Sequence, residues 1–200
     1  MMTFVSGFLL GLSLILAIGA QNAFVLKQGI KKHHVFLVCA ICAVSDAFLI
    51  VLGVGGFGII VEKYPQLEVW ARYGGAAFVF VYGILSFYSA FTKNHALQAA
   101  GSDISSAFKT ASICLAFTWL NPHVYLDTLV LLGSISSQYP GEEFTFGFGA
   151  VLASFVFFFS LGYGARFLAP IFARAKAWKV LEFVVGLIMM ASAASLIFSS

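Results

Sequence analysis

Six long runs of apolar residues constrain the fold of this chain more than any other feature of its sequence. A bilayer core about 30 Å thick is spanned by roughly 20 apolar residues in a helix, and each run approaches or exceeds that length. The runs cover residues 3–26, 35–61, 73–91, 110–132, 144–165 and 179–198. Runs this long and continuous differ from the short alternating segments of membrane-spanning strands. We therefore predict an all-α, polytopic transmembrane helix bundle of about six spans.

The composition supports a membrane protein and excludes a soluble domain. Hydrophobic residues make up 61% of the chain and charged residues 10%, whereas about 25% of the residues in soluble domains are charged. So few charges cannot cover a surface that faces water, so most of the surface must face lipid. The last run is free of charged residues only after Glu182, which makes its uninterrupted apolar part the shortest of the six and leaves five spans as an alternative.

Basic residues in the connections between runs predict the orientation in the membrane, because short cytoplasmic loops are enriched in lysine and arginine. On one side of a six-span arrangement, the basic residues are Lys27, Lys31, Lys32, Lys93, Lys109, Arg166, Arg174, Lys176 and Lys179. The other side carries only Lys63 and Arg72. This bias predicts that both termini lie outside the cytoplasm.

The most polar connection, residues 92–109, divides the chain into two groups of three predicted spans. An odd number of spans in each half makes the halves face opposite ways, which is the inverted-repeat geometry of many secondary transporters. Asn22 and Asn121 each lie in the first span of their half. We predict a single transporter domain, residues 1–200, with half-repeats at about 1–91 and 110–200.

Asp46 lies near the middle of the second predicted span. An ionisable side chain at the centre of a bilayer costs about 2.5–3.5 kcal/mol on insertion scales, so such residues usually line a cavity or a pathway. We interpret Asp46 as a partner for a cationic substrate, or as a site that exchanges a proton for that substrate. The alternative is a neutral carboxyl group tied to a serine such as Ser45 or Ser160.

The fourth predicted span contains the segment Thr-Trp-Leu-Asn-Pro-His-Val-Tyr-Leu-Asp-Thr, residues 118–128. Pro122 lacks an N–H, so the helix should kink or open there and leave the carbonyl of Thr118 without its helical partner. Asn121 lies beside this break, and His123 and Asp127 are four residues apart, on one helix face. They are candidates for a ligand site or a proton relay, or else the polar groups of a kinked packing helix that satisfy one another.

A third polar segment, Gly-Ala-Gln-Asn-Ala-Phe-Val-Leu-Lys-Gln-Gly, occupies residues 19–29. Gln21 and Asn22 bring amide groups into an apolar run, and Gly19 eases local unwinding of the helix. A broken helix can bind a carboxylate at its N-terminal end and a cation at a C-terminal end, and an amino acid needs both. The alternative is hydrogen bonding between neighbouring helices.

Two weaker patterns are better explained by helix packing than by a ligand site. Cys39, Cys42 and Asp46 share a helix face, which could suggest a soft metal, but buried cysteine usually acts as a small hydrophobe. We predict no metal site. The Gly7-x-x-x-Gly11 spacing permits close helix approach, and we expect it to pack helices within one chain. A homo-oligomer remains possible.

At these residues the sequence resembles the lysine exporter (LysE) family, and within it the arginine exporter branch. The resemblance rests on residues 19–30, on Ala-Val-Ser-Asp at 43–46, on residues 118–128 and on Ala-Arg-Ala-Lys-Ala at 173–177. It covers essentially the whole chain in length and span layout, and it implies amino-acid efflux through the inner membrane. Ala20 stands where some arginine exporters have proline, which leaves the choice between arginine and lysine open.

The polar positions that the resemblance carries over to this chain are Gln21, Asn22, Asp46, Asn121, Pro122 and Asp127. We predict that Gln21, Asn22, Asp46, Asn121 and Asp127 bind the substrate, that Asp46, His123 and Asp127 are candidates for proton coupling, and that the helix breaks lie at Gly19 and Pro122. Other branches of the family handle neutral amino acids such as homoserine and threonine, and more distant relatives move metal ions. Those substrates are the alternatives.

The predicted protein is a secondary transporter of the bacterial inner membrane that exports arginine or lysine by proton antiport. No Walker phosphate loop is present, so ATP is not expected to drive it directly, and we predict no cofactor and no nucleic-acid partner. The expected partners are a basic amino acid, a proton and the lipid bilayer. An intramembrane hydrolase would need a nucleophile–base or metal set, and neither Gly-x-Ser-x-Gly nor His-Glu-x-x-His occurs. A non-catalytic membrane scaffold is the remaining alternative.

Overall fold

The computed structural model of the chain describes residues 1–16, 19–57, 65–92, 106–168 and 170–198. The α-helices in chain order are α1 Met2–Ile15, α2 Ala20–Lys31, α3 Val35–Leu52, α4 Pro65–Thr92, α5 Ala107–Trp119, α6 Pro122–Tyr125, α7 Leu132–Ser136, α8 Glu143–Gly164 and α9 Ala175–Phe198. Two π-helical segments, Gly53–Phe57 and Leu126–Leu131, extend α3 and join α6 to α7. No strand occurs in these ranges, and the predicted all-α class is confirmed.

In the described part of the chain, four helices are long and apolar enough to span a membrane: Val35–Gly56, Arg72–Thr92, Glu143–Leu168 and Lys176–Phe198. The bent pair Met2–Ile15 and Ala20–Lys31 makes a fifth candidate if the two helices form one span. The predicted fourth span, residues 110–132, is divided among α5, α6 and the π-helical segment. Six spans therefore remain a prediction.

The outer surface of the bundle is apolar, as a lipid-facing surface requires. Large hydrophobic side chains are exposed on the long helices, among them Phe48 on α3, Phe80 and Phe91 on α4, Phe148 on α8 and Phe183 on α9. Soluble monomers rarely expose apolar surface on this scale, because it is unfavourable in water. The distribution matches a polytopic membrane protein.

Glycine allows a very close contact between two helices of the bundle. Gly7 and Gly11 of α1 lie directly against the backbone of α8 at Phe146 and Ala150, and Gly149 of α8 lies against the backbone of α1. A Cβ at Gly7 would overlap the carbonyl of Phe146, so only glycine permits this spacing. As expected, the Gly7-x-x-x-Gly11 spacing packs two helices of the same chain. On the opposite side of the bundle, α9 packs along α4.

The first predicted span is broken between α1 and α2, whose axes differ in direction by 85°. α1 ends at Ile15, and α2 begins at Ala20 after an extended residue, Gly19. The side-chain amide of Asn22 donates a hydrogen bond to the carbonyl of Ile15 at 2.9 Å. The end of α1 would otherwise leave that carbonyl without its helical partner. Asn22 therefore ties the two halves of the broken span together.

The fourth predicted span is broken between Trp119 and Pro122, where the backbone groups find substitute partners. The carbonyl of Thr118 accepts a longer hydrogen bond from the N–H of Asn121, at 3.4 Å. The carbonyl of Trp119 accepts one from the Tyr125 hydroxyl, at 2.6 Å. Pro122 occupies the first position of the new helix, where its missing N–H costs nothing. The proline therefore ends one helix and starts the next.

The two breaks occupy equivalent places in the two halves of the chain. Each lies in the first span of its half, and each has an asparagine, Asn22 or Asn121, whose side chain bonds to backbone at the break. This parallel is what an inverted repeat would produce, and the repeat stays a prediction. The predicted linker, residues 92–109, lies mostly outside the described residues, which resume at 106.

One residue that the sequence assigned to a connecting loop lies elsewhere. Lys27 belongs to α2 and is only 8% exposed, because α2 continues to Lys31 instead of ending at the predicted limit of the first span. Its ammonium group pairs with Glu182 of α9 at 2.7 Å. Lys27 therefore cannot count among the loop residues that set orientation, and that side keeps eight of its nine basic residues.

We predict that Asn22→Leu lowers the thermal stability of the detergent-solubilised protein. The substitution removes the hydrogen bond to the Ile15 carbonyl and leaves that group unsatisfied in an apolar setting, which costs about 1–3 kcal/mol. The matched control is Ser13→Ala, which removes an exposed hydrogen bond to Leu10 on the same helix. Thermal unfolding monitored by size-exclusion chromatography measures both variants. Equal unfolding temperatures for the two would contradict the role of Asn22.

Candidate functional site

A cavity of about 450 Å³ lies inside the bundle between the two helix breaks. Its volume falls within the range of small-ligand sites, about 300–1,000 Å³. All the polar side chains singled out in the sequence line it: Gln21, Asn22, Asp46, Asn121, His123 and Asp127. Gly19 also lines the cavity, whereas Pro122 lies buried behind its wall. Residues from both halves of the chain thus meet in one place. Their roles in binding and proton transfer remain predictions.

Asp46 is the most deeply buried acidic group of this cavity, at 5% exposure. It projects from α3, and one carboxylate oxygen accepts a hydrogen bond of 2.9 Å from the hydroxyl of Ser154 on α8. The serine partner is therefore Ser154, not Ser45 or Ser160. Ser45 instead accepts a hydrogen bond from the Trp119 indole at 3.3 Å. Ser154 bonds only one oxygen of Asp46, and a carboxylate can accept several hydrogen bonds.

Asp127 supplies a second carboxyl group to the cavity, close enough to Asp46 for the two to interact electrostatically. It lies in the π-helical segment Leu126–Leu131, where its own carbonyl bonds to the N–H of Leu132, five residues on. The wider turn changes the direction of side chains relative to an α-helix, and π-helical turns are frequent at functional sites. His123, one turn earlier, is exposed and interacts electrostatically with Asp127.

The N-terminus of α2 forms another wall of the cavity, through Gly19, Ala20, Gln21 and Asn22. The first N–H groups of a helix have no partner within the helix and carry partial positive charge, which favours an anion. The side-chain nitrogen of Gln21 is buried without a hydrogen-bond acceptor among the described residues, and the Gln21 amide lies near the Cys42 thiol. Donors on α2 and the acidic groups on α3 and the π-helical segment thus line one cavity.

The side chain of Asn121 has a structural task in addition to lining the cavity. Its oxygen accepts a hydrogen bond from the N–H of His123 at 3.1 Å and so caps α6. The side-chain nitrogen of Asn22 instead donates to the carbonyl of Ile15. The side-chain atoms that hold the breaks together are not available to a ligand, which limits each asparagine to its remaining groups.

Two hydroxyl groups of the cavity were missed in the sequence. Ser192 and Ser195 of α9 line the cavity together with Ile188 and Leu196. Their three-residue spacing places them on one helix face, which is the signal that could have identified them. Small polar residues in an apolar helix are common packing elements, so the signal alone would not separate a cavity from a helix contact.

Aromatic side chains close one end of the cavity. Phe117 of α5 lines it, and its ring packs against Tyr82 of α4 at 5.0 Å and Phe24 of α2 at 5.3 Å between centroids. Phe78 contacts Phe117 as well, at 4.9 Å. These rings lie between the cavity and the end of the bundle where α2 ends and α9 begins. We call them the aromatic layer: Phe24, Phe78, Tyr82 and Phe117.

The buried pair Lys27–Glu182 lies beyond the aromatic layer and was not identified from the sequence. Glu182 is 1% exposed, and the Lys27 ammonium lies 5.8 Å from the centroid of the Tyr82 ring. Both residues lie close to charged or interfacial positions in the sequence, so they resembled ordinary loop and helix-end charges. Only the continuation of α2 to Lys31 and of α9 back to Ala175 reveals that they meet inside the bundle.

The cysteines form no metal site with their neighbours. Cys42 contacts Cys114 of α5, with 3.4 Å between the sulfur atoms, and the Cys39 thiol donates to the carbonyl of Phe158 at 3.2 Å. In the described ranges, no group of three histidine, cysteine, aspartate or glutamate side chains is arranged to hold a metal ion. The cysteines pack α3 against α5 and α8.

Comparison with known proteins identifies the family. The LysE type translocator family model matches residues 12–200. A putative amino-acid transporter of Mycobacterium tuberculosis is 39% identical over 189 residues, 94% of each chain. The arginine exporter protein ArgO of Escherichia coli is 40% identical over 184 residues, 92% of this chain and 87% of the relative. No solved structure matches the chain.

These matches extend over nearly the whole chain, and they agree with the apolar surface, the broken helices and the polar internal cavity described above. They confirm the family resemblance and the prediction that the protein is a membrane transporter and not an enzyme. The chain belongs to the LysE type translocator family.

Proposed function

We propose that this protein exports a basic amino acid, arginine or lysine, from the bacterial cytoplasm across the inner membrane. The observation that carries the proposal is the composition of the cavity wall. Two carboxyl groups, Asp46 and Asp127, and the N-terminus of α2 line the same cavity. A basic amino acid has a positive side chain and a negative carboxylate at its two ends. The relatives named as arginine exporters support the choice of substrate.

In this arrangement, Asp46 binds the positive side-chain group of the substrate, and Asp127 adds negative charge nearby. The N–H groups of Ala20 and Gln21 at the start of α2 and the side-chain amide of Gln21 bind the α-carboxylate. Asn22 and Asn121, which line the same cavity, orient the amino-acid end. A neutral amino acid has no positive side-chain group and would leave the buried Asp46 without that compensating charge, which is unfavourable in a low-dielectric site.

We further propose that export is coupled to proton entry. Moving one positive charge out of the cell against an inside-negative potential costs about 2.3 kcal/mol per 100 mV. Inward movement of one proton for each cation exported cancels this electrical cost. Asp46 can hold either the substrate's positive group or a proton, and Asp127 and His123 provide further proton acceptors on the cavity wall. Competition between the two cations for one carboxylate is the simplest basis for exchange.

The orientation in the membrane follows from the basic end of the bundle. Lys31 lies over the ring of Trp178, and Lys179 lies over the ring of Phe91, so the ends of α2 and α4 and the start of α9 come together. Exposed Arg166, Arg174 and Lys176 belong to the same end of α8 and α9. We propose that this end faces the cytoplasm and that both termini face the opposite side.

We predict that Asp46→Asn reduces arginine efflux by about tenfold to a hundredfold at matched expression. A hydrogen bond to a charged group contributes about 1.5–3 kcal/mol, and 1.4 kcal/mol corresponds to a factor of ten. Ser154→Ala is the matched control, because it removes the hydrogen-bond partner and keeps the carboxylate. Efflux of radiolabelled arginine from cells measures both. Unchanged efflux by Asp46→Asn would remove Asp46 from the mechanism.

Antiport predicts that a proton gradient accelerates arginine movement against the direction of proton flow. Proteoliposomes loaded with radiolabelled arginine should release it faster when the outside is made acidic than at equal pH. A protonophore should abolish the difference. Release that is independent of the pH gradient, with arginine still transported, would contradict proton coupling and leave the substrate assignment standing.

A further inference from the structure

The ion pair between Lys27 and Glu182 is buried, and the cavity chemistry described above does not use it. The two side chains approach to 2.7 Å, with 8% and 1% of the residues exposed. A buried ion pair gains little net stability, since desolvation of both charges offsets their attraction, and apolar residues of similar volume often stabilise a core more. The pair therefore calls for an explanation beyond packing.

The position of this pair relative to the cavity suggests one. Phe117 lines the cavity, the Tyr82 ring packs against Phe117, and the Lys27 ammonium lies 5.8 Å from the centre of that Tyr82 ring. Tyr82 also interacts electrostatically with Glu182. Among the described residues, Phe117 and Tyr82 of the aromatic layer thus connect the cavity with the ion pair by direct contacts. Along α2, Asn22 and Lys27 are separated by a rise of about 7.5 Å.

We propose that Glu182 is a second cation-binding position on the substrate path, at which Lys27 takes the place of the substrate's positive group. The inference rests on the proposed export of basic amino acids. The Lys27 side chain ends in the same ammonium group as lysine, and a guanidinium group would bind the carboxylate with equal or better geometry. A substrate that enters from the basic end displaces Lys27 from Glu182, then passes the aromatic layer to Asp46.

Because one cation replaces another, Glu182 is paired with a positive group both with and without substrate. When no substrate is present, Lys27 satisfies the buried Glu182, which avoids the cost of an isolated charge. When a basic amino acid binds Glu182, Lys27 is released toward the basic end. A neutral amino acid has no positive side-chain group, and its α-ammonium group lies beside a carboxylate that Glu182 repels, so it does not displace Lys27. Selection for positive side chains is thereby applied before the substrate reaches the cavity.

The test compares arginine with citrulline, which has nearly the same shape but no charge on its side chain. Binding is measured by ligand-induced thermal stabilisation of the purified protein, and transport by efflux from proteoliposomes. The variants are Lys27→Met, which removes the internal competitor, and the double variant Lys27→Met/Glu182→Gln, which has no buried charge. Lys31→Met, one helical turn further along α2, controls for loss of a positive charge at the same end.

Lys27→Met should bind arginine roughly tenfold more tightly than wild type, the usual effect of one charge-assisted hydrogen bond, with no gain for citrulline. The double variant should lose this gain and need a higher arginine concentration for half-maximal efflux. Lys31→Met should match wild type in both measurements.

Two results would overturn the proposal. One is a Lys27→Met protein whose affinity for arginine is no higher than that of wild type, or rises equally for arginine and citrulline. The other is a double variant that exports arginine with wild-type kinetics, which would make the pair purely structural. If Lys27→Met does not fold, the double variant alone decides. Failure of the proposed function is separate, because it would appear as absence of arginine efflux by the wild-type protein.

Discussion

The need to satisfy every polar group inside an apolar bundle determines most of this structure. In lipid, an unpaired backbone or side-chain group has no water to turn to, and each one costs several kcal/mol. Two helices nevertheless break inside the bundle. Asn22 bonds the carbonyl of Ile15, Asn121 caps the N–H of His123, and Tyr125 bonds the carbonyl of Trp119. The breaks are tolerated because nearby side chains bond to the backbone groups that lose their helical partners. Residues of both breaks line the cavity.

The chemistry of the cavity follows from the same constraint. A helix that starts inside the bundle directs its first N–H groups into the interior, which creates a place for an anion without any basic side chain. A buried carboxylate is stabilised by a positive partner, and Asp46 and Asp127 line the same cavity. We therefore propose that the cavity binds a molecule that is anionic at one end and cationic at the other.

The sequence predicted the helical membrane fold and the composition of the cavity because both depend on rare events in an apolar background. Asp46 stands out as the single charge in its run, and Asn121 precedes a proline that must interrupt a helix. The polar residues that line the cavity could be identified because each one interrupts an apolar run. Ser154 could not be identified as the partner of Asp46, since many serines in the chain have suitable spacing and only the packing of α8 on α3 selects one.

The ion pair shows where such reasoning stops. Lys27 follows an apolar run, and a lysine in that position usually lies in a loop. Its burial depends on the break near Gly19, which turns α2 by 85° and carries Lys27 into the bundle. Glu182 likewise resembles a charge near a helix end in the sequence, and only the packing of α9 against α2 brings it to Lys27. Long-range geometry of this kind is set by tertiary packing, and local pattern does not encode it.

A structure of the protein with bound L-arginine tests the central claim most directly. The account predicts density for the guanidinium group beside Asp46 and for the α-carboxylate at the N-terminus of α2. Arginine bound outside the cavity, or bound in it with its carboxylate toward Asp46 and Asp127, would contradict the account.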